Sequence, residues 1–240
     1  MEQRTFQIDG QWNIIHYPEQ PSGFSVLIIG DRGHFVEQGS SFWLQHPGRL
    51  RILEHLKGHG YTLFSSNFYG ANWGNSKSVD LAMKLYLNFM KSEISNNKIH
   101  ILAEGTGALI AFQLIRELGP QIRSVMFINP CLSLKLRLEK EKENKFFYKK
   151  MLREVAEAYE MDVNESEPFI MKTEEMPVLG ETPVKIIHLL SLHKDQSLLY
   201  KLLQKQNKLA DVQLAYLLSE KLYKLPYIIH SFYKTNQRYL

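Results

Sequence analysis

Two short stretches hold the side chains best suited to nucleophilic or acid–base chemistry. In Ala103-Glu104-Gly105-Thr106-Gly107 a carboxylate and a hydroxyl flank a glycine. Cys131, the chain's single thiol, directly follows the apolar run 125–128. That position predicts a place near the carboxyl edge of a sheet, where open α/β sheets put ligands. A thiolate beside an imidazole can act as a nucleophile. The ordinary reading of a lone cysteine is a buried, inert side chain. Thr106 reads more simply as a residue capping a helix start, and Glu104 as a solvated or salt-bridged acid. His16, His34, His46, His55, His59, His100, His188 and His193 show no metal-ligand spacing with cysteine or carboxylates. His55 and His59 are four apart, but Gly58 is expected to break the helix that would pair them. No metal and no cofactor is therefore expected.

The elements that must position these groups follow from periodicity. Residues 99–103 are β-branched and apolar, and ALIAFQLIREL after the glycine-rich turn is apolar at helical spacing. That is a strand, a sharp turn and a helix. Upstream, 5–8 and 11–16 around Asp9-Gly10 read as a β-hairpin, since Asp-Gly suits a turn with two positive φ angles. The continuous apolar run 24–29 reads as a central strand covered on both faces. A helix over 50–57, a strand over 61–65 and a helix over 79–91 follow. After the strand 125–128, residues 132–182 shift to Lys, Glu and aromatic residues, then to a polar, proline-bearing stretch. This segment interrupts the alternation and is expected to be an inserted helical cap, leaving 1–131 and 183–240 as the core. Alternation resumes with a strand over 184–190, a helix over 196–208 and a last short strand over 226–229. Strands alternating with helices imply a mainly parallel, doubly wound sheet with right-handed crossovers.

Four stretches in order resemble the α/β-hydrolase superfamily. VLIIGDRG stands where that family has a strand and a His-Gly oxyanion loop, with Gly30 and Asp31 in the places of His and Gly, followed by Arg32. LKGHGYTLFSSNFYGANWGNS is similar to a common stretch of the family, with Asn67 for the usual Asp while Gly74 and Ser76 are kept. The third is the turn at Gly105, where the family pattern G-x-S-x-G places its nucleophilic serine. The fourth is the pair KIIHLLSLHKDQS and YIIHSF, which puts Asp195 and His230 where the family has its acid and its histidine. The resemblance implies a triad of Gly105, Asp195 and His230 in which the nucleophile position is vacant. Glycine has no side-chain oxygen, so the usual acyl-enzyme cannot form there. Gly30, Asp31, Arg32, Glu104 and Thr106 are the expected ligand-binding residues, and Cys131 the candidate substitute nucleophile. Glycine also relieves backbone strain at such a turn.

Composition narrows the function classes. The chain has 240 residues, 44% hydrophobic and 22% charged, with a formal net charge of +4, which suits one α/β domain with or without an inserted lobe. The basic residues are interleaved with acidic ones, so nucleic-acid binding is not expected. No apolar stretch is long enough for a membrane span. One cysteine excludes an internal disulfide, and the N-terminal residues lack a signal-peptide pattern, so a cytoplasmic protein is expected. The leading expectation is a degenerate, non-catalytic hydrolase that binds a small acyl or ester-like ligand or a protein partner. The alternative is an active esterase- or acyl-hydrolase-like enzyme, or a His-Asp-dependent one, with an unorthodox nucleophile.

Overall fold

The computed structural model describes residues 3–173, 176–190 and 197–237. The chain opens with the hairpin β1 (Gln3–Ile8) and β2 (Gln11–His16), then β3 (Ser25–Ile29). Two short strands, β4 (Val36–Glu37) and β5 (Ser40–Ser41), lead to α1 (Phe42–Gln45) and α2 (Pro47–Gly58). Next come β6 (Thr62–Ser66), α3 (Ser76–Ser92), β7 (Ile99–Glu104), α4 (Gly107–Leu118) and β8 (Ile122–Ile128). The helices α5 (Leu134–Glu141), α6 (Lys145–Ala158) and α7 (Val163–Met171) follow. The chain closes with β9 (Val184–Leu190), α8 (Ser197–Gln206), β10 (Val212–Leu218) and α9 (Leu225–Thr235).

The strands form one sheet in the order β1-β2-β6-β3-β7-β8-β9-β10. The β1/β2 and β2/β6 pairs are antiparallel and the other neighbours parallel. Every residue of β3, β7 and β8 is buried, as expected of central strands covered on both faces. One cover packs Leu85 and Phe89 of α3, Leu114 of α4 and Leu203 of α8 against the sheet. The other uses Ile52 and Leu56 of α2 with Ile229, Phe232 and Tyr233 of α9. Helices α5–α7 enter between β8 and β9 and gather around Trp73 through Leu134, Leu138, Met151, Val155 and Ile170.

One expectation for the C-terminal part is corrected, and one strand is added. Residues 226–229, read as a strand from their β-branched and aromatic types, are the first turn of α9. Pro226 sits at its start, where a missing N–H costs nothing, and Leu225, Ile229, Phe232 and Tyr233 are buried at helical spacing. The last strand is instead β10, paired in parallel with β9. As an edge strand it is only partly buried, and its apolar run Leu214–Leu218 carries no β-branched residue to mark it as strand rather than helix.

The strand order fixes where a ligand can approach. From β3 the chain runs outward to β6, then crosses back to β7 on the other side of β3. The crevice at the carboxyl ends of β3 and β7 is thus a topological switch point, the usual binding place of an open α/β sheet.

Candidate functional site

At that switch point β7 turns sharply into α4. Gly105 adopts φ of +54°, in the left-handed region that glycine enters without the Cβ penalty of other residues. The start of α4 lies close against β3. A Cβ on Gly107 would stand 2.4 Å from the Gly30 carbonyl oxygen, so the helix can approach only with glycine there. The loop after β8 is fastened to the same turn, with Gly105 N–H donating to Ile128 O and Cys131 N–H to Gly105 O.

Asp31, just beyond β3, dominates the turn. Its Oδ1 accepts from the Thr106 backbone N–H at 2.8 Å, the Thr106 hydroxyl at 2.7 Å and the Arg32 N–H at 2.8 Å. Such bonds to a carboxylate are stronger than neutral ones. A Cβ built on Gly105 would lie 2.2 Å from Asp31 Cγ and 2.4 Å from each carboxylate oxygen. The carboxylate therefore fills the space in which a side chain at position 105 would begin.

Around it lies a cleft of about 240 Å³, lined by Asp31, Arg32, Glu104–Thr106, the 129–133 loop, Leu136, Arg137 and Leu199. Arg32 bridges to α6 through Glu154 at 2.9 Å, and the Trp73 indole N–H donates to the same carboxylate oxygen. The Arg32 guanidinium also lies 5.3 Å from the Trp73 ring centre. Glu104 makes a two-point ion pair with Arg49 of α2. It is thus the paired acid of the simpler sequence reading. Burial lowers the pKa of His34, and its Nδ1 accepts the Asp31 N–H.

Comparison with solved structures follows the same outline. The chain superposes on Est1E from Butyrivibrio proteoclasticus with a TM-score of 0.65 at 13% identity, covering 98% of both chains. It matches the Pyrococcus furiosus esterase Pf2001 with a TM-score of 0.64 at 14% identity, over 98% of this chain and 91% of that one. It also matches XC6422 from Xanthomonas campestris, an a/b serine hydrolase without lid, with a TM-score of 0.61 at 11% identity, covering 100% of this chain and 97% of that one. The fold is that of the α/β-hydrolases. No protein-family model and no curated protein sequence matches the chain.

On this α/β-hydrolase frame the residues expected at the site separate. Gly105, Thr106, Glu104, Asp31, Arg32 and Cys131 meet at the cleft. Gly30 lies just behind it, its carbonyl against Gly107 and its Cα beside His34. His230 does not join them. It is on α9, with its ring 3.7 Å from that of His59 and 6.0 Å from that of Tyr61. Tyr61 immediately precedes β6, so His230 stands at the amino-terminal edge of the parallel strands, opposite Gly105. The expectation that His230 serves this turn is corrected accordingly; the short apolar segment before it resembled a strand but is helix. Asp195 lies outside the described residues.

Cys131 is buried, and burial pushes its thiol up to about 12. Its sulfur faces the Ser133 carbonyl at 3.5 Å. A protonated thiol is a poor nucleophile. Arg49, Arg137 and Glu154 were not expected at the site. Arg49 and Glu154 reach it across a long stretch of sequence, where residue type and spacing carry no signal, whereas Arg137 follows the 129–133 loop at the start of α5.

Proposed function

We propose that this chain is a binding protein on an α/β-hydrolase frame, holding a small ligand in the cleft beside Gly105 without forming an acyl-enzyme there. The observation supporting it is the position of Asp31. In this fold an oxyanion is met by the backbone N–H after the nucleophile and by one from the loop after the first parallel strand. Those groups are here the Thr106 and Arg32 N–H donors, and both already bond to the Asp31 carboxylate. The same carboxylate fills the space of the nucleophile's side chain. Two of the requirements for acyl transfer, a nucleophile and free oxyanion donors, are thereby both blocked by one internal anion.

The cleft suits a small acyl or ester-like molecule with a polar head. Leu132, Leu136 and Leu199 offer apolar surface, while Arg137, Ser133 and Asn129 offer polar groups. The test is turnover of short- and long-chain activated esters, read beside a thermal-shift series with acyl carboxylates. The expected result is no turnover above the buffer rate and a stabilising shift that Arg137→Ala abolishes. Ester turnover abolished by Asp31→Ala or Cys131→Ala would make the protein an enzyme and end this reading.

A further inference from the structure

Far from the cleft, α2 and α9 bring three imidazoles together. Helix α2 continues through Gly58, and His59 forms its C-cap at φ −102° and ψ 15°. Gly58 therefore does not separate the pair, contrary to the sequence expectation. The His55 and His59 ring centres are 4.4 Å apart, and the His230 ring lies 3.7 Å from that of His59 and 5.6 Å from that of His55. One ring nitrogen from each residue lies within 4.8 Å of the others.

Two details separate this group from an ordinary surface cluster. His59 Nδ1 is 2.7 Å from the His55 carbonyl oxygen. A carbonyl can only accept, so Nδ1 carries the proton and Nε2 presents its lone pair. Metal-bound histidines are oriented in this same way, by a hydrogen bond from the other ring nitrogen. The second detail is His55 Nε2, which is buried and makes no hydrogen bond. A buried polar atom without a partner is costly, and a coordinated cation would satisfy it.

We propose that His55, His59 and His230 form a binding site for a divalent first-row transition ion, with zinc as its representative. Neutral imidazoles suit zinc, copper and nickel, whereas calcium and magnesium select oxygen ligands. Zinc–nitrogen distances of about 2.0–2.1 Å in a tetrahedron require the three nitrogens to converge by modest side-chain rotations. His59 is exposed and His55 and His230 half-buried, so the ion has an open route in. Three protein ligands leave a further coordination position for water or an incoming donor group. The ion would tie the last turn of α2 to α9 at the amino-terminal edge of the sheet.

The experiment is calorimetric titration of the untagged, full-length protein with zinc chloride, repeated with His59→Ala and His230→Ala. Cobalt(II) absorption reports the ligand geometry. The expected result is one zinc per chain and a zinc-dependent rise in melting temperature. Each variant should weaken binding by at least the roughly 10–100-fold that loss of even an outer-shell partner costs. The exposed His59 can be removed without disturbing the core, so the His59→Ala melting curve without zinc serves as the folding control. Absence of stoichiometric binding, or equal binding by wild type and both variants, would overturn the site.

Discussion

At the scale of single residues, Asp31 and Gly105 compete for one volume. Gly105→Ser adds a Cβ 2.2 Å from Asp31 Cγ at a positive φ, and backbone strain of that kind costs about 1–3 kcal/mol. Asp31→Ala removes the acceptor of two backbone N–H groups and a hydroxyl, with an expected cost of about 1.5–3 kcal/mol for a charged partner. Combining the substitutions relieves the clash, so the double variant should be more stable than the sum of the singles predicts. The expected coupling is about 0.5–3 kcal/mol, read from urea unfolding of the four proteins. Strict additivity would show that the two groups do not share space. The glycine at this turn was legible in the sequence, because the strand–turn–helix frame singles out position 105. The carboxylate in its place was not, since Asp31 reaches it only once β3 and β7 lie side by side.

The elements show a similar division. Strands β3, β7 and β8 and helices α3 and α4 could be read because each is buried, and burial writes a continuous apolar run or a regular helical stripe. Edge elements obey weaker rules. β10 mixes buried, half-buried and exposed positions, and the start of α9 is rich in types common in strands. Only the covering of the sheet by Ile229, Phe232 and Tyr233 makes α9 a helix. The junction of α4 with β3 offers a direct test of element packing. Gly107→Ala would place a methyl 2.4 Å from one backbone oxygen and 2.5 Å from another, and backbone cannot step aside as a side chain can. Destabilisation at or above the roughly 1–3 kcal/mol typical of overpacking is expected, measured as a drop in the urea midpoint. A neutral outcome would mean that α4 stands off the sheet.

For the molecule as a whole, buried histidines contribute to the response to acid. Burial, then the nearby Lys57, lowers His16 to about 4, and burial with Arg123 lowers His100 to about 3. Both rings are neutral in the folded protein at pH 7, whereas in the unfolded chain they protonate near 6.5. Between those values the unfolded state binds more protons, so stability is full above about pH 6.5. It declines as pH falls towards 4 and 3, by up to roughly 1.4 kcal/mol per unit for each ring. Urea unfolding between pH 7 and 4.5 should show this slope, and His16→Gln should flatten it. An unchanged slope would assign acid sensitivity to other groups.

The mutual fit of Asp31 and Gly105 also bears on descent. A serine arriving first at position 105 meets an occupied volume. A shortened residue 31 arriving first leaves the Thr106 amide and hydroxyl protons without their acceptor and the Arg32 N–H with the Thr106 hydroxyl oxygen alone. Either first step loses stability before any chemistry is gained, and most proteins hold little stability to spare. The two positions are thus coupled, and a side chain at 105 is accommodated without loss of stability only where residue 31 changes with it.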